Sequence, residues 1–168
     1  EKWCGDLSSI LRKHDVKATV FFTGKVADLH PESVRAFAEY VDIGSMTYSY
    51  VSLPSISDYS LQLEEVREGK RAVDRGGKLN SRLFRAPYGS TDDNIYSLLN
   101  RSDIIADFSY ETHYNKYYYG YFIKFDLKTY SGSKYLADFF LNQSEVEEPV
   151  AIHFDNTISI QKIDEFIS

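Results

Sequence analysis

The run Ala18-Thr19-Val20-Phe21-Phe22-Thr23 constrains the fold more than any other stretch, because it is largely β-branched or aromatic and has no polar face. A strand with one side in water alternates apolar and polar residues, whereas this run fits a parallel strand covered on both faces. Parallel strands need crossover segments, and the chain supplies them. Leu7, Ile10 and Leu11 predict an amphipathic helix over 5–14, with Asp6 as its cap. Pro31 opens a second helix with Val34, Phe37 and Ala38 on one stripe, followed by a short strand over 41–46.

The alternation continues to the end of the chain. Ser57 or Asp58 caps a long helix carrying Tyr59, Leu63, Val66 and Val73 on one side, and Gly76-Gly77 supplies a left-handed stop. A strand is expected at 83–85, a helix capped by Thr91 with Ile95, Leu98 and Leu99 inward, and a strand at 104–106. Residues 121–127 read as an alternating strand, 135–141 as a helix, 150–154 as a buried strand, and Ile160, Ile163 and Ile167 mark a closing helix. Such βα units imply a mainly parallel sheet, closed into a barrel or left open. Periodicity does not choose between the two.

A length of 168 residues with 43% hydrophobic side chains and a mean hydropathy of −0.38 describes a single globular domain over 1–168. The net charge of −6, with both signs interspersed, argues against nucleic acid or an anionic membrane as the partner. No apolar run approaches the roughly 20 residues of a membrane span, and any export signal must lie outside this sequence. The lone Cys4 has no intrachain partner and reads as a simple thiol. Fourteen tyrosines are present, many of them in a segment over 110–121 that reads as a long surface loop.

Several motifs now coincide in order. Lys17 to Gly24 reads Lys-Ala-Thr-Val-Phe-Phe-Thr-Gly; His30-Pro31-Glu32 opens the next helix; Asp42-Ile43-Gly44 leads into Ser45-Met46-Thr47-Tyr48-Ser49-Tyr50. Arg85-Ala86-Pro87-Tyr88-Gly89 follows, and Ile152-His153-Phe154-Asp155 comes late. Together these resemble the polysaccharide deacetylase family, the NodB-homology domains of carbohydrate esterase family 4. The resemblance covers most of 7–167 and is weakest over 107–130. It implies a deformed (β/α)7-type barrel with its site at the C-terminal ends of the strands. It also implies a carbohydrate or polysaccharide partner and an extracellular or cell-surface location.

The family holds a divalent metal, usually zinc, on the two histidines of a His-Thr-x-x-His segment, and the metal activates water against an acetyl group. Here those positions are Met46 and Tyr50. A thioether is too soft for zinc, and a phenol must first lose a proton of pKa about 10. No metal ligand is therefore assigned in this chain and no cofactor is expected. Without a Lewis acid, water keeps a pKa of about 15.7 rather than about 7.

By the same resemblance Arg85 braces the base carboxylate, the Tyr88 backbone N–H helps hold the oxyanion, and His153 protonates the leaving amine. Pro87, Tyr50 and Met46 then line the substrate cleft. Each has a plain alternative: a hydrogen-bonded core histidine at 153, an arginine pairing with a loop carboxylate at 85, and simple packing at 46 and 50. Glu111 and His113 are replacement ligands or a solvated loop pair, and Thr91-Asp92-Asp93 is explained by helix capping.

The family's first strand, which ends in an aspartate pair supplying base and third ligand, is expected upstream of Glu1, so the domain reads as N-terminally truncated. The family's Asp-and-Trp motif is not recognisable, and Asp107 is its nearest candidate. Three readings follow. One is a pseudoenzyme that binds glycans without cleaving them. Another is a working metal-dependent hydrolase of N- or O-acetyl groups, and the third is a structural or interaction module. The tyrosines of 110–121 suit sugar stacking, rim packing or an oligomer contact.

Overall fold

The computed structural model describes residues 2–16, 18–109, 123–124, 128–131, 150–153 and 160–168. Helix α1 (Lys2–Lys13) precedes strand β1 (Thr19–Phe22), and helices α2 (Gly24–Leu29) and α3 (Pro31–Ala38) lead to β2 (Asp42–Ser45). Helix α4 (Tyr59–Gly77), β3 (Leu83–Phe84), α5 (Ile95–Asn100) and β4 (Ala106–Asp107) follow. Strands β5 (Ile123–Lys124), β6 (Lys128–Ser131) and β7 (Val150–His153) and helix α6 (Ile160–Ile167) complete the described elements. β1 to β5 form one parallel sheet in sequence order, and β6 pairs with β7 in parallel.

The uninterrupted apolar character of β1 is explained by two occupied faces. On one, Phe22 and Ile43 join Leu7, Leu11, Val34, Phe37, Ala72 and Val73 in a core against the helices. On the other, Phe21 lies over its register partner Gly44, where an added Cβ would meet the ring at 2.2 Å. The Phe21 ring also reaches Phe108, just past β4, with centroids 5.2 Å apart. In a flat sheet β1 and β4 would stand about 14 Å apart, three strand spacings. The rings meet because the sheet curls, which is the curvature of a barrel wall. A second core, built on Leu63, Val66, Phe84, Leu98, Leu99 and Ile104, seats α4 and α5 against β3.

Several sequence expectations are corrected. α1 begins at Lys2, so Asp6 lies within the helix and is not its cap. α2 was not anticipated, although Thr23 caps it by accepting the Val26 N–H at 3.3 Å. α4 is capped by Asp58, which accepts from Ser60 and Leu61, but it runs through both glycines; Lys78 takes the left-handed position at φ 54° and bonds to the Asp74 carbonyl. Thr91 does not cap α5, which starts at Ile95; the turn before it is held by Asp92, which accepts the Asn94 N–H at 2.9 Å and a Gln62 side-chain N–H at 2.8 Å. The strand expected at 104–106 is displaced to Ala106–Asp107, because Ile104 still bonds back to Leu99 as the exit turn of α5. β5 (Ile123–Lys124) falls within the strand expected over 121–127, β6 follows at Lys128–Ser131, and the helix expected over 135–141 lies outside the described residues.

α6 is joined to α1 by Ile163, fully buried in the core that holds Leu7 and Leu11, and by charge. Asp164 sits 2.7 Å from His14 Nε2 and 3.0 Å from Lys13 Nζ, and hydrogen bonding from His14, then from Lys13, holds its carboxyl below the usual range. A depressed native pKa contributes stability that is present above the unfolded value and is lost as pH falls through the folded value. Thermal melts taken between pH 7 and pH 3 should therefore fall more steeply for the wild type than for Asp164→Asn. Equal falls would show that the contact contributes nothing.

Candidate functional site

The inward face of the curled sheet converges where β2 and β3 end. Met46 N–H donates to Phe22 O at 2.8 Å and Arg85 N–H to Ser45 O at 3.0 Å, so each ladder runs one residue past its strand. Gly44 faces inward beneath Phe21, and its missing Cβ would lie 3.2 Å from that of Leu83. Alternation then carries Met46 and Arg85 to the same inward face as Gly44 and Leu83. Residues distant in sequence, and singled out by motif alone, are thus brought together by register.

The loop from Met46 to Val51 is built against α4. Thr47 is fully buried and its hydroxyl donates to Val51 O at 3.2 Å. Tyr48 N–H donates to Glu65 O at 2.9 Å, while the Ser49 N–H and hydroxyl donate to the two Glu65 carboxylate oxygens at 2.9 and 2.8 Å. Gly69 allows this approach: a Cβ there would lie 2.1 Å from the Met46 carbonyl oxygen. The loop delivers Tyr50 on a left-handed backbone at φ 63°.

A second tight turn, Pro87–Gly89, follows β3, and Tyr88 within it is also left-handed at φ 58°. Pro87 is buried, so it shapes the turn rather than offering a surface. Ser52 donates to Ser90 at 3.1 Å and ties the two loops together. The rings of Tyr50 and Tyr88 meet with centroids 4.9 Å apart and planes at 57°, and they remain 37% and 67% exposed. Left-handed backbone at a bulky residue is uncommon and costs about 1–3 kcal/mol per site, and such strain clusters at functional positions.

Beneath the second turn lies a buried polar relay. Ala86 N–H donates to Ser109 Oγ at 2.8 Å, and Ser109 donates from both its hydroxyl and its N–H to Asp107, the N–H at 2.9 Å. Asp107 and Ser109 are 2% and 3% exposed. Asp107, the nearest candidate for the missing Asp-and-Trp motif, thus supports the Ala86–Tyr88 turn through Ser109. Sequence reasoning missed Ser109 and Glu65, which carry no local signal. Gly69 had one, a lone glycine inside a helical pattern.

The remaining expected residues are less concentrated. His153 ends β7, with Ser131 as its register partner. Glu111, His113 and the tyrosine segment over 110–121 lie outside the described residues. Among the described residues no three His, Cys, Asp or Glu side chains come together as a metal cage, and no helix is long and apolar enough to cross a membrane. At the two positions in question the site offers a thioether and a ring packed on another ring. That donor set does not fit a zinc-type ion.

The polysaccharide deacetylase family model matches residues 1–105, more than half of the chain, and the chain belongs to that family. A peptidoglycan-N-acetylglucosamine deacetylase of Bacillus cereus is 30% identical over 92 residues, 53% of this chain and 33% of that protein. The match thus spans about a third of the curated relative's length. Among solved structures, a family 4 carbohydrate esterase from Streptomyces lividans in complex with acetate superposes with a TM-score of 0.75 at 17% identity, covering 99% of this chain and 80% of that one. A family 4 pseudoenzyme from Bacillus anthracis superposes at 0.69 with 15% identity, covering 99% of this chain and 54% of that one. A mutant of that pseudoenzyme with restored enzymatic activity gives the same score and identity, covering 99% of this chain and 56% of that one. The α/β architecture with its curled parallel sheet is therefore the fold of these esterases, as the motif resemblance implied.

Two substitutions test how the site is held. Gly69→Ala should cost about 1–3 kcal/mol, because the Met46 carbonyl must move. Ser109→Ala should cost about 1–3 kcal/mol by leaving the Ala86 N–H and the Asp107 carboxylate short of a partner. Urea unfolding midpoints measure both, and an unchanged midpoint in either would remove that residue from the scaffold of the site.

Proposed function

We propose that this domain binds a polysaccharide at the cleft where β2 and β3 end, and that it does not hydrolyse acetyl groups through a metal. The observation that supports this reading is the packing of the Tyr50 ring on Tyr88, since by the motif resemblance Tyr50 stands at the second metal-histidine position of the family. Met46 and Tyr50 form one wall, and the Pro87–Gly89 turn forms the other. Arg85 and His153 stand as polar remnants of the family's chemistry, and the Tyr88 N–H as a remnant of its oxyanion site. A pseudoenzyme with this fold exists among the solved structures, and a mutant of it regained activity, which makes a silent family member a precedented outcome. The net charge of −6 suits a neutral glycan better than an acidic one. An extracellular or cell-surface setting follows from such a partner.

Metal analysis of the purified natural protein, joined to an acetate-release assay on an acetylated chitooligosaccharide, tests this. Substoichiometric zinc, no acetate and saturable binding of the oligosaccharide are expected. Stoichiometric zinc with acetate release would instead establish a working deacetylase, and absence of saturable sugar binding would leave an interaction module. In Met46→His combined with Tyr50→His, zinc affinity should rise at least about tenfold, and a folded double variant that gains none would show that these are not the ligand positions.

A further inference from the structure

We propose that Tyr50 and Tyr88 are a site of oxidative modification, at which one-electron oxidation joins the two phenol rings as dityrosine and staples the loop after β2 to the turn after β3. Among the described residues theirs is the only contact between two tyrosine rings; the other ring pairs, Phe21–Phe108 and Phe22–Phe37, lack a phenol. A centroid separation of 4.9 Å with planes at 57° brings an edge of one ring into van der Waals contact with the other. Nothing fits between rings that close, but a bond can form across them. The inference uses the ring contact alone and is independent of what the cleft binds.

Coupling requires that both rings be oxidised and that the two radicals meet. Each ring is open to an oxidant, Tyr50 at 37% and Tyr88 at 67% exposure. Their meeting is arranged in advance by the fold. The Ser49 N–H and hydroxyl are held by Glu65, the Ala86 N–H is held by Ser109, and Ser52 ties the first loop to Ser90 of the second. Holding two reacting groups in contact replaces an encounter in solution by an intramolecular step, with an effective concentration far above that of a second protein molecule in dilute solution. Tyr59 differs in its surroundings: its hydroxyl is bonded to Ser97 and its ring faces the Arg101 guanidinium.

The oxidant is hydrogen peroxide acting through a haem peroxidase. The oxidised haem takes one electron and one proton from each phenol, leaving two phenoxyl radicals, while the peroxide is reduced to two waters. Unpaired spin in each radical is shared with the carbons ortho to the oxygen. One such carbon from each ring joins in a new C–C bond, and the hydrogens that these carbons carried move to the two oxygens and restore both phenols. Two tyrosines and one peroxide thus become one dityrosine and two waters. Peroxide acting directly on the Met46 thioether leads elsewhere, since sulfoxide formation adds an oxygen whereas coupling removes two hydrogens.

Treatment of the unmutated protein, at micromolar concentration, with hydrogen peroxide and a haem peroxidase tests the site. Peptide mapping of the monomer by mass spectrometry should find the segments that hold Tyr50 and Tyr88 joined, lighter by two hydrogens than their sum. Tyr50→Phe and Tyr88→Phe should each lower the dityrosine fluorescence of the monomer at least about tenfold, whereas Tyr59→Phe should leave it within about twofold. Phenylalanine keeps the ring contact but has no phenolic hydrogen, so a loss reports the chemistry and not unfolding. The coupled wild type should also melt at least about 5 °C above Tyr50→Phe treated in the same way, because a loop of about 40 residues is then closed in the unfolded chain. Monomer coupled only through other tyrosines, dityrosine confined to dimers and larger species, fluorescence unchanged in the phenylalanine variants, or no rise in melting temperature would each overturn the staple.

Discussion

The contact of the Phe21 ring with Gly44 is the constraint on which the rest of the structure depends. A side chain at position 44 would occupy the ring's place, and the ring could then no longer lie across β2 to reach Phe108. That reach records the curl of the sheet. Curl, in turn, turns the inward faces of β2 and β3 toward one another, so that Met46 and Arg85 leave their strands on one side of the wall. One missing methyl group therefore connects a sequence motif to the convergence of a site.

The loops above that wall carry strain that the scaffold offsets locally. Two left-handed tyrosines cost about 1–3 kcal/mol each. Against this stand three hydrogen bonds from the Tyr48–Ser49 segment to Glu65, two of them to its carboxylate, and the buried relay from Ala86 through Ser109 to Asp107. At about 1 kcal/mol for each partly exposed bond and more for those to a charged acceptor, these suffice to hold the turns as they are. The strain is thus comparable to its local support and does not draw on the stability of the whole domain.

The parts legible in the sequence are those governed by local pattern. The both-sided apolar run at 18–23 predicted a covered parallel strand, and the helix of 59–77 was visible from its stripe and its Asp58 cap. Motif order placed Met46, Tyr50, Arg85 and Tyr88 near strand ends, where the structure finds them. The meeting of Tyr50 with Tyr88 was not legible, because it requires a left-handed backbone at two bulky residues, and no residue type announces that. Ser109 was hidden for another reason: its partners, Ala86 and Asp107, come together only once β3 and β4 are in register. The two glycines at 76 and 77 misled because a helix end is decided by which carbonyl is satisfied, and here the N–H of Lys78 reaches Asp74.

The bond between Asp164 and the end of α1 spans a separation of 151 residues from Lys13. Closing so long a loop costs conformational entropy that a charge contact on the molecular surface repays only weakly. Ile163 of the same helix is fully buried in the core that holds Leu7, Leu11 and Val34, so the apolar face of α6, more than its charge pair, sets how strongly its amides are protected in native-state hydrogen exchange.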